Sequence, residues 1–197
     1  MTEKYMNEYR IESTRLKHWD YSSGAYFITT CTKDRVNYFR DIVNGQVELT
    51  EIGEMAHQYW TEIPIHFPVV MLDGFIIMPN HVHGIMIIEN GNVIVETQNL
   101  ASLPYENTFG PQSKNLASII RGYKAGVKKW ATMNCVPFQW QPRFYEHIIR
   151  NETSLNRIRE YITYNPLRWE SDIENTKRDA KFCVSTVKDY YQKIFQG

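Results

Sequence analysis

The sequence predicts an α+β fold, an antiparallel sheet with helices packed on it, and three observations support that prediction. Short runs rich in β-branched and aromatic residues, such as Tyr26-Phe27-Ile28-Thr29-Thr30-Cys31-Thr32, read as strands. Between them, apolar residues recur at helical spacing, as in Ile52, Met55, Ala56, Tyr59, Trp60 and Ile63. Finally, Phe75-Ile76-Ile77-Met78 and Val82-His83-Gly84-Ile85-Met86-Ile87-Ile88 are separated by little more than Pro79-Asn80, which leaves room for a tight turn and an antiparallel return.

Taken in order, residues 1–21 show no clean periodicity and read as an N-terminal arm. Its Arg10, Arg15, Lys17 and His18 either touch a polyanion or are solvated. The first strand starts at about Ala25 and ends before Lys33-Asp34-Arg35. Asn44-Gly45 marks a turn, Thr50 is a helix cap, and the helix that follows ends near Pro64. Phe67 to Leu72 begins a second strand region, bent at Asp73-Gly74. Strand, helix, strand, strand is the first half of a ferredoxin-like (RRM-like) sandwich.

Residues 89–112 lose periodicity and carry Gly91, Pro104, Gly110 and Pro111, so they read as a long loop, a class that is functional or disordered. Ser113 is a candidate cap for the next helix, whose apolar face is Leu116, Ile119, Ile120, Tyr123, Val127 and Trp130. Phe144 to Ile149 reads as a strand. Asn151 caps a helix over about Glu152 to Tyr164, which Asn165-Pro166 stops. One domain over 22–170 results, followed by a C-terminal tail, 171–197, with a candidate helix around Ser185 to Phe195. No internal repeat or low-complexity tract is present.

The 22 basic and 22 acidic residues cancel, so no whole-protein field draws the chain to nucleic acid and local clustering has to do so. Such a cluster exists. From Asn107 to Tyr145 there is no acidic residue, while Arg121, Lys124 and Lys128 share a helix face apart from the apolar stripe and Arg143 follows. With Tyr123, Trp130, Phe138 and Trp140 interspersed, the segment fits a groove for single-stranded nucleic acid, or a solvated helix face. Three cysteines, Cys31, Cys135 and Cys183, are odd in number and widely spaced, which speaks against a disulfide framework. No signal peptide or membrane-length apolar run is visible, and a cytoplasmic protein is expected.

Alternation along a strand sets His81 and His83 side by side on one face and turns Val82 and Met86 to the other. Two imidazoles on a rigid strand are a candidate metal site; a half-exposed strand face that merely carries histidines is the alternative. Arg157, Tyr161 and Asn165 follow at i, i+4 and i+8 and form one helix ridge. If that ridge faces the histidines, nitrogen donors and an amide oxygen converge, a set that suits Mg²⁺ or Mn²⁺ better than a closed zinc site. Tyr161 is then a candidate nucleophile. Its hydroxyl, with an ordinary pKa of about 10, needs a nearby positive charge or a proton acceptor. Arg157 is placed to stabilise developing charge, and a half-buried structural tyrosine is the other reading of Tyr161.

Met78-Pro79-Asn80-His81-Val82-His83-Gly84 resembles the His-hydrophobic-His motif of the single-tyrosine HUH transposases, and Tyr161-Ile162-Thr163-Tyr164-Asn165-Pro166 resembles the Tyr-Ile-x-x-Asn-Pro segment of their REP-associated branch. The order of elements from Tyr26 to about Trp169 matches as well. The resemblance implies a ferredoxin-like catalytic domain that cuts and rejoins single-stranded DNA near hairpins or palindromic elements through a 5′-phosphotyrosine, with Mg²⁺ or Mn²⁺. It implies His81, His83 and Asn165 as metal ligands and Tyr161 as nucleophile. Tyr164 is a chemical rival, but it points roughly 60° around the helix from Tyr161. The resemblance leaves open a homodimer that exchanges the tyrosine helix, or a monomer. Two other readings stand beside it: a hairpin-binding module that does not cut, and a metal phosphohydrolase that uses water.

Overall fold

A computed structural model of the chain describes residues 4–5, 8–9, 19–43, 46–89, 115–175, 190–191 and 194–195. The basic residues of the arm, nearly all of the expected 89–112 loop, Ser113 and most of the expected terminal helix lie outside them.

The elements run β1 (Lys4–Tyr5), β2 (Glu8–Tyr9), β3 (Gly24–Cys31), β4 (Arg40–Val43), β5 (Gln46–Leu49), α1 (Glu51–Thr61), α2 (Ile63–His66), β6 (Val70–Ile77), β7 (His81–Ile88), α3 (Leu116–Met133), β8 (Tyr145–Ile149) and α4 (Glu152–Tyr164). A 3-10 helix, Pro166–Ser171, follows α4. Four strands form one sheet in the order β6-β7-β3-β8, every neighbour antiparallel, which is the ferredoxin-like order expected from the sequence. The bend at Asp73-Gly74 is real: the β6–β7 register shifts between Leu72 and Phe75. Asp73 there takes an ion pair from Arg159 of α4 at 2.5 Å, which ties that helix to the sheet.

The caps explain where the helices begin. Thr50 Oγ1 accepts from the Gly53 amide at 3.1 Å and Asn151 Oδ1 from Ser154 at 2.8 Å, both as expected. The expectation of Ser113 as the α3 cap is corrected. Asn115 is the cap, because Ser118 stands three residues on and returns a bond to the Asn115 amide, each at 3.0 Å, completing a capping box. The short strands β1, β2, β4 and β5 and the helix α2 had not been foreseen. β4 and β5 pair antiparallel, and α2 restarts a helix over Pro64, which is tolerated in a first turn because that amide has no helical partner. The expected turn at Asn44-Gly45 lies outside the described residues.

Strand periodicity sorts side chains into two cores. Tyr26, Ile28, Val82 and Met86 meet α1 and α3 on one face, with Trp60, Ile119, Tyr123 and Val127. Phe27 and Ile85 meet α4 on the other, with Ile158, Tyr161 and Ile162, joined by Tyr191 and Phe195 from the C-terminal region. Among the described residues, no helix is long and apolar enough to cross a membrane.

One position in β7 fixes how closely α1 approaches. A Cβ on Gly84 would stand 2.2 Å from the Trp60 ring, so only glycine lets the fully buried Trp60 lie against β7. Gly84→Ala is expected to destabilise the protein by about 1–3 kcal/mol through overpacking. A urea denaturation midpoint unchanged from wild type would refute this account of the β7–α1 contact.

Candidate metal centre

In the β3–β7 register, Cys31 stands opposite His81 and Thr29 opposite His83. Both imidazoles are fully buried on the α4 face, their rings 4.3 Å apart. The turn residue Asn80 fixes the first of them. Its amide nitrogen donates to the carbonyls of Arg35 and Glu174, at 3.2 and 2.9 Å, so its oxygen is the atom 2.8 Å from His81 Nδ1. That oxygen only accepts, so Nδ1 carries the proton and Nε2 the lone pair. Thr29 does the same for His83. Its hydroxyl donates toward Tyr191 and is left to accept from His83 Nδ1 at 2.9 Å, turning Nε2 toward Tyr161, whose hydroxyl is 3.3 Å away.

Two of the three ridge residues, Tyr161 and Asn165, face the histidine cluster. Tyr161 donates to Asp172 Oδ2 at 3.1 Å, and the Asn165 amide nitrogen donates to the same oxygen at 2.6 Å. Asp172 Oδ1 accepts from the Glu174 amide at 2.7 Å. Ligand atoms of His81, His83 and Asp172 all lie within 4.8 Å of one another. Two lone-pair atoms in this buried cluster, His81 Nε2 and Asn165 Oδ1, have no hydrogen-bond partner. Leaving such an atom unpaired costs roughly 1–3 kcal/mol, so the arrangement fits a small cation that takes nitrogen and oxygen donors.

The electrostatics agree with that fit. Burial, helped by the Arg35 charge, pushes His81 down to about 3; burial and the neighbouring His81 hold His83 well below its ordinary value. Both imidazoles are therefore neutral and able to ligate at neutral pH. Burial first, and the Asp172 charge second, push the Tyr161 phenol well above its ordinary value. The cluster by itself keeps the tyrosine protonated.

Asp172 was missed by the sequence reading, as were Asn80, Thr29 and Tyr191 in their supporting roles. Residues 172–175, 190–191 and 194–195, assigned to a tail, contribute Asp172, Glu174, Tyr191 and Phe195 to the buried interior. Arg35 forms an ion pair with the buried Glu174 carboxylate and so fastens that segment beside His81. Tyr164 is 47% exposed against 4% for Tyr161, and it takes no part in the cluster. Arg157 is half-buried, and no hydrogen bond or ion pair joins it to the cluster among the described residues. Arg121, Lys124, Lys128 and Arg143 come together elsewhere, along one cleft beside α3.

The buried neutral imidazoles make stability depend on pH. His81 has its folded pKa at about 3, below its ordinary 6.5, so its contribution is present in full above pH 6.5 and is lost as the pH falls toward 3. The urea midpoint of metal-free protein is expected to fall between about pH 7 and about pH 5, and His81→Gln to flatten that fall. A wild-type midpoint constant over this range would show that the imidazoles are not held neutral.

No protein-family model matches the chain. An uncharacterised Haemophilus influenzae protein is 43% identical over 180 residues, covering 87% of this chain and 97% of its own length. A second protein of that organism, provisionally named a REP-associated tyrosine transposase, is 26% identical over 171 residues, covering 83% of this chain and 77% of its own length. Among solved structures, a REP-associated tyrosine transposase bound to a REP hairpin superposes with a TM-score of 0.55 at 19% identity, over 81% of this chain and 74% of the other, and shares the fold. With the two sequence motifs now placed on one face of that fold, the chain is similar, at a distance, to the REP-associated tyrosine transposases and shares their fold.

Proposed function

We propose that the chain is a metal-dependent single-stranded DNA endonuclease and strand transferase that cleaves and rejoins DNA near hairpins through a 5′-phosphotyrosine on Tyr161. The observation that carries this reading is the unpaired lone pairs of His81 Nε2 and Asn165 Oδ1, buried in the same cluster as the Tyr161 hydroxyl. His81, His83 and Asn165 would hold Mg²⁺ or Mn²⁺, with the Asp172 carboxylate beside them. When bound, such an ion supplies Lewis-acid polarisation of a phosphodiester.

The protein groups account for the rest. Tyr161 attacks phosphorus, its proton passing to Asp172 Oδ2, on which the hydroxyl already donates at 3.1 Å. The phosphorus–O3′ bond breaks, the departing 3′ oxygen takes up a proton, and the 5′ phosphate stays on the tyrosine. A second 3′ hydroxyl reverses the step and restores a phosphodiester, so no nucleotide triphosphate is consumed. Asn80 and Thr29 keep each imidazole in the tautomer that points Nε2 inward. The solved relative bound to a REP hairpin supports a substrate class of single-stranded DNA with hairpin or palindromic elements. One chain assembles every member of the cluster, so a monomer is sufficient for the chemistry.

The test is a denaturing gel of purified protein, Mn²⁺ and a labelled pool of hairpin-bearing single-stranded DNA. A metal-dependent band retarded by one protein mass is expected, absent from Tyr161→Phe and retained by Tyr164→Phe. Free cut ends with no adduct would indicate a hydrolase using water. Hairpin binding with neither product would leave a binding module on the same fold. In a thermal-shift titration, Asn80→Ala is expected to raise the Mn²⁺ concentration needed for half-maximal stabilisation by about 10–100-fold, because the His81 tautomer is no longer fixed. An unchanged titration would remove Asn80 from that role.

A further inference from the structure

Apart from the tyrosine cluster, on the α3 side of the sheet, lies a cleft of about 600 Å³. One wall is α3, with Ala117, Arg121 and Ala125; the other is the segment 139–144, with Trp140, Arg143 and Phe144. We propose that this cleft binds one unpaired nucleotide of a DNA strand, its base against Trp140 and Phe144 and its phosphate on Arg121 and Arg143. The proposal rests on the strand-transfer reading for its choice of polymer, but it concerns a different site.

The shape of the cleft is built, not incidental. Segment 139–144 continues the lane of β8 beside β3: Trp140 bridges Thr32, and the Gln141 amide donates to the Cys31 carbonyl at 2.8 Å. Between that bridge and β8 the chain bulges, and Arg143 takes a left-handed backbone with φ 66, uncommon for a residue other than glycine. Lys124 fastens the bulge from across the cleft. Its ammonium donates to the carbonyls of Gln141 and Arg143, at 2.6 and 2.7 Å, and sits 5.5 Å from the centre of the Trp140 ring. Lys128 is likewise committed, to the Phe138 carbonyl.

These bonds divide the cations into two kinds. The lysines are spent on backbone carbonyls and hold the wall. Arg121 and Arg143 are exposed, and no ion pair engages either among the described residues. Among the described residues no carboxylate lines the cleft, in a chain whose formal net charge is zero, so the positive charge there is a local accumulation. Guanidinium groups grip phosphate oxygens through paired donors, which an ammonium does not match. Ala117 and Ala125 line the cleft with small side chains, and Trp140 and Phe144 line it with rings, a pairing that suits a flat base. Phosphate binding by cations with a ring-lined gap is the chemistry of a nucleotide. A strand is favoured over a free nucleotide by position: Cys31 has the cleft wall on one side and His81 on the other, two strand spacings or about 10 Å apart. A strand held in the cleft therefore lies at the same end of the sheet as the histidines, on the opposite face, and a chain passing around that end reaches both.

The experiment measures fluorescence anisotropy of the labelled hairpin pool, with unpaired flanks, against salt concentration for full-length wild type, Arg121→Ala/Arg143→Ala and Ala125→Trp. The double variant is expected to lower the slope of log affinity against log salt by about 1.4, two phosphate contacts at about 0.7 each. Ala125→Trp fills the gap and keeps every charge, so it is expected to weaken binding by at least about fivefold at an unchanged slope. Wild-type affinity and slope in both variants would overturn the proposal. Displacement of the strand by deoxyadenosine monophosphate at comparable concentration would assign the cleft to a free nucleotide and overturn it too. Adduct formation at saturating DNA is read on the same samples. Loss of the adduct in wild type, with the cleft effects intact, would count against the strand-transfer reading alone.

Discussion

The pairing of β3 with β7 is the constraint on which the rest depends. Its register sets Thr29 against His83, and the period of two sends His81 and His83 to one face while Val82, Gly84 and Met86 go to the other. A slip of one residue would exchange the two sets, driving imidazoles into the apolar core around Trp60. The contact of Trp60 with Gly84, on the face opposite the histidines, therefore helps fix where the candidate ligands stand. Packing on one side of the sheet decides the chemistry on the other.

Around that pair the chain closes a polar network inside an apolar shell. Asn80 is its hub, joining His81 to the Arg35 and Glu174 carbonyls, and the Arg35–Glu174 ion pair holds the returning segment in place. Buried polar atoms in folded proteins are nearly always paired, which makes the two unpaired lone pairs of His81 and Asn165 informative. The shell above them is aromatic. Trp169 lies 5.9 Å from the His81 ring, and Tyr191 lies 5.9 Å from both His83 and Tyr161. With the histidines and Tyr161 buried, the proposed reaction requires part of this cover to move before a phosphodiester meets the tyrosine.

What the sequence made legible was whatever repeats. Strand alternation placed the histidines on a shared face, and helical spacing put Tyr161 and Asn165 on one ridge and separated Tyr164 from them. Asp172 repeats nothing. It reaches the cluster because the 3-10 segment Pro166–Ser171 turns the chain back, and a turn of that kind leaves no periodic trace. The α3 cap shows a different limit: Ser113 and Asn115 are both good caps, and what separates them is Ser118, placed to return the bond to Asn115 alone. The basic segment was legible as charge but not as roles, because the carbonyls that occupy Lys124 and Lys128 come from a loop 10 to 19 residues further on.

The same cluster can keep its tyrosine inert and make it reactive. Burial and the Asp172 carboxylate both disfavour the phenolate, so the hydroxyl by itself is a poorer nucleophile than a tyrosine in water. Both effects reverse when positive charge arrives. In a medium this dry the attraction between a cation and a phenolate is poorly screened, and Asp172 changes from a neighbour that repels the anion to one whose charge is matched. A solvent-exposed tyrosine would gain much less from the same cation. On the proposed mechanism, deep burial, which looks like an obstacle to catalysis, is what would make the reactivity of Tyr161 conditional on the occupancy of the site beside it.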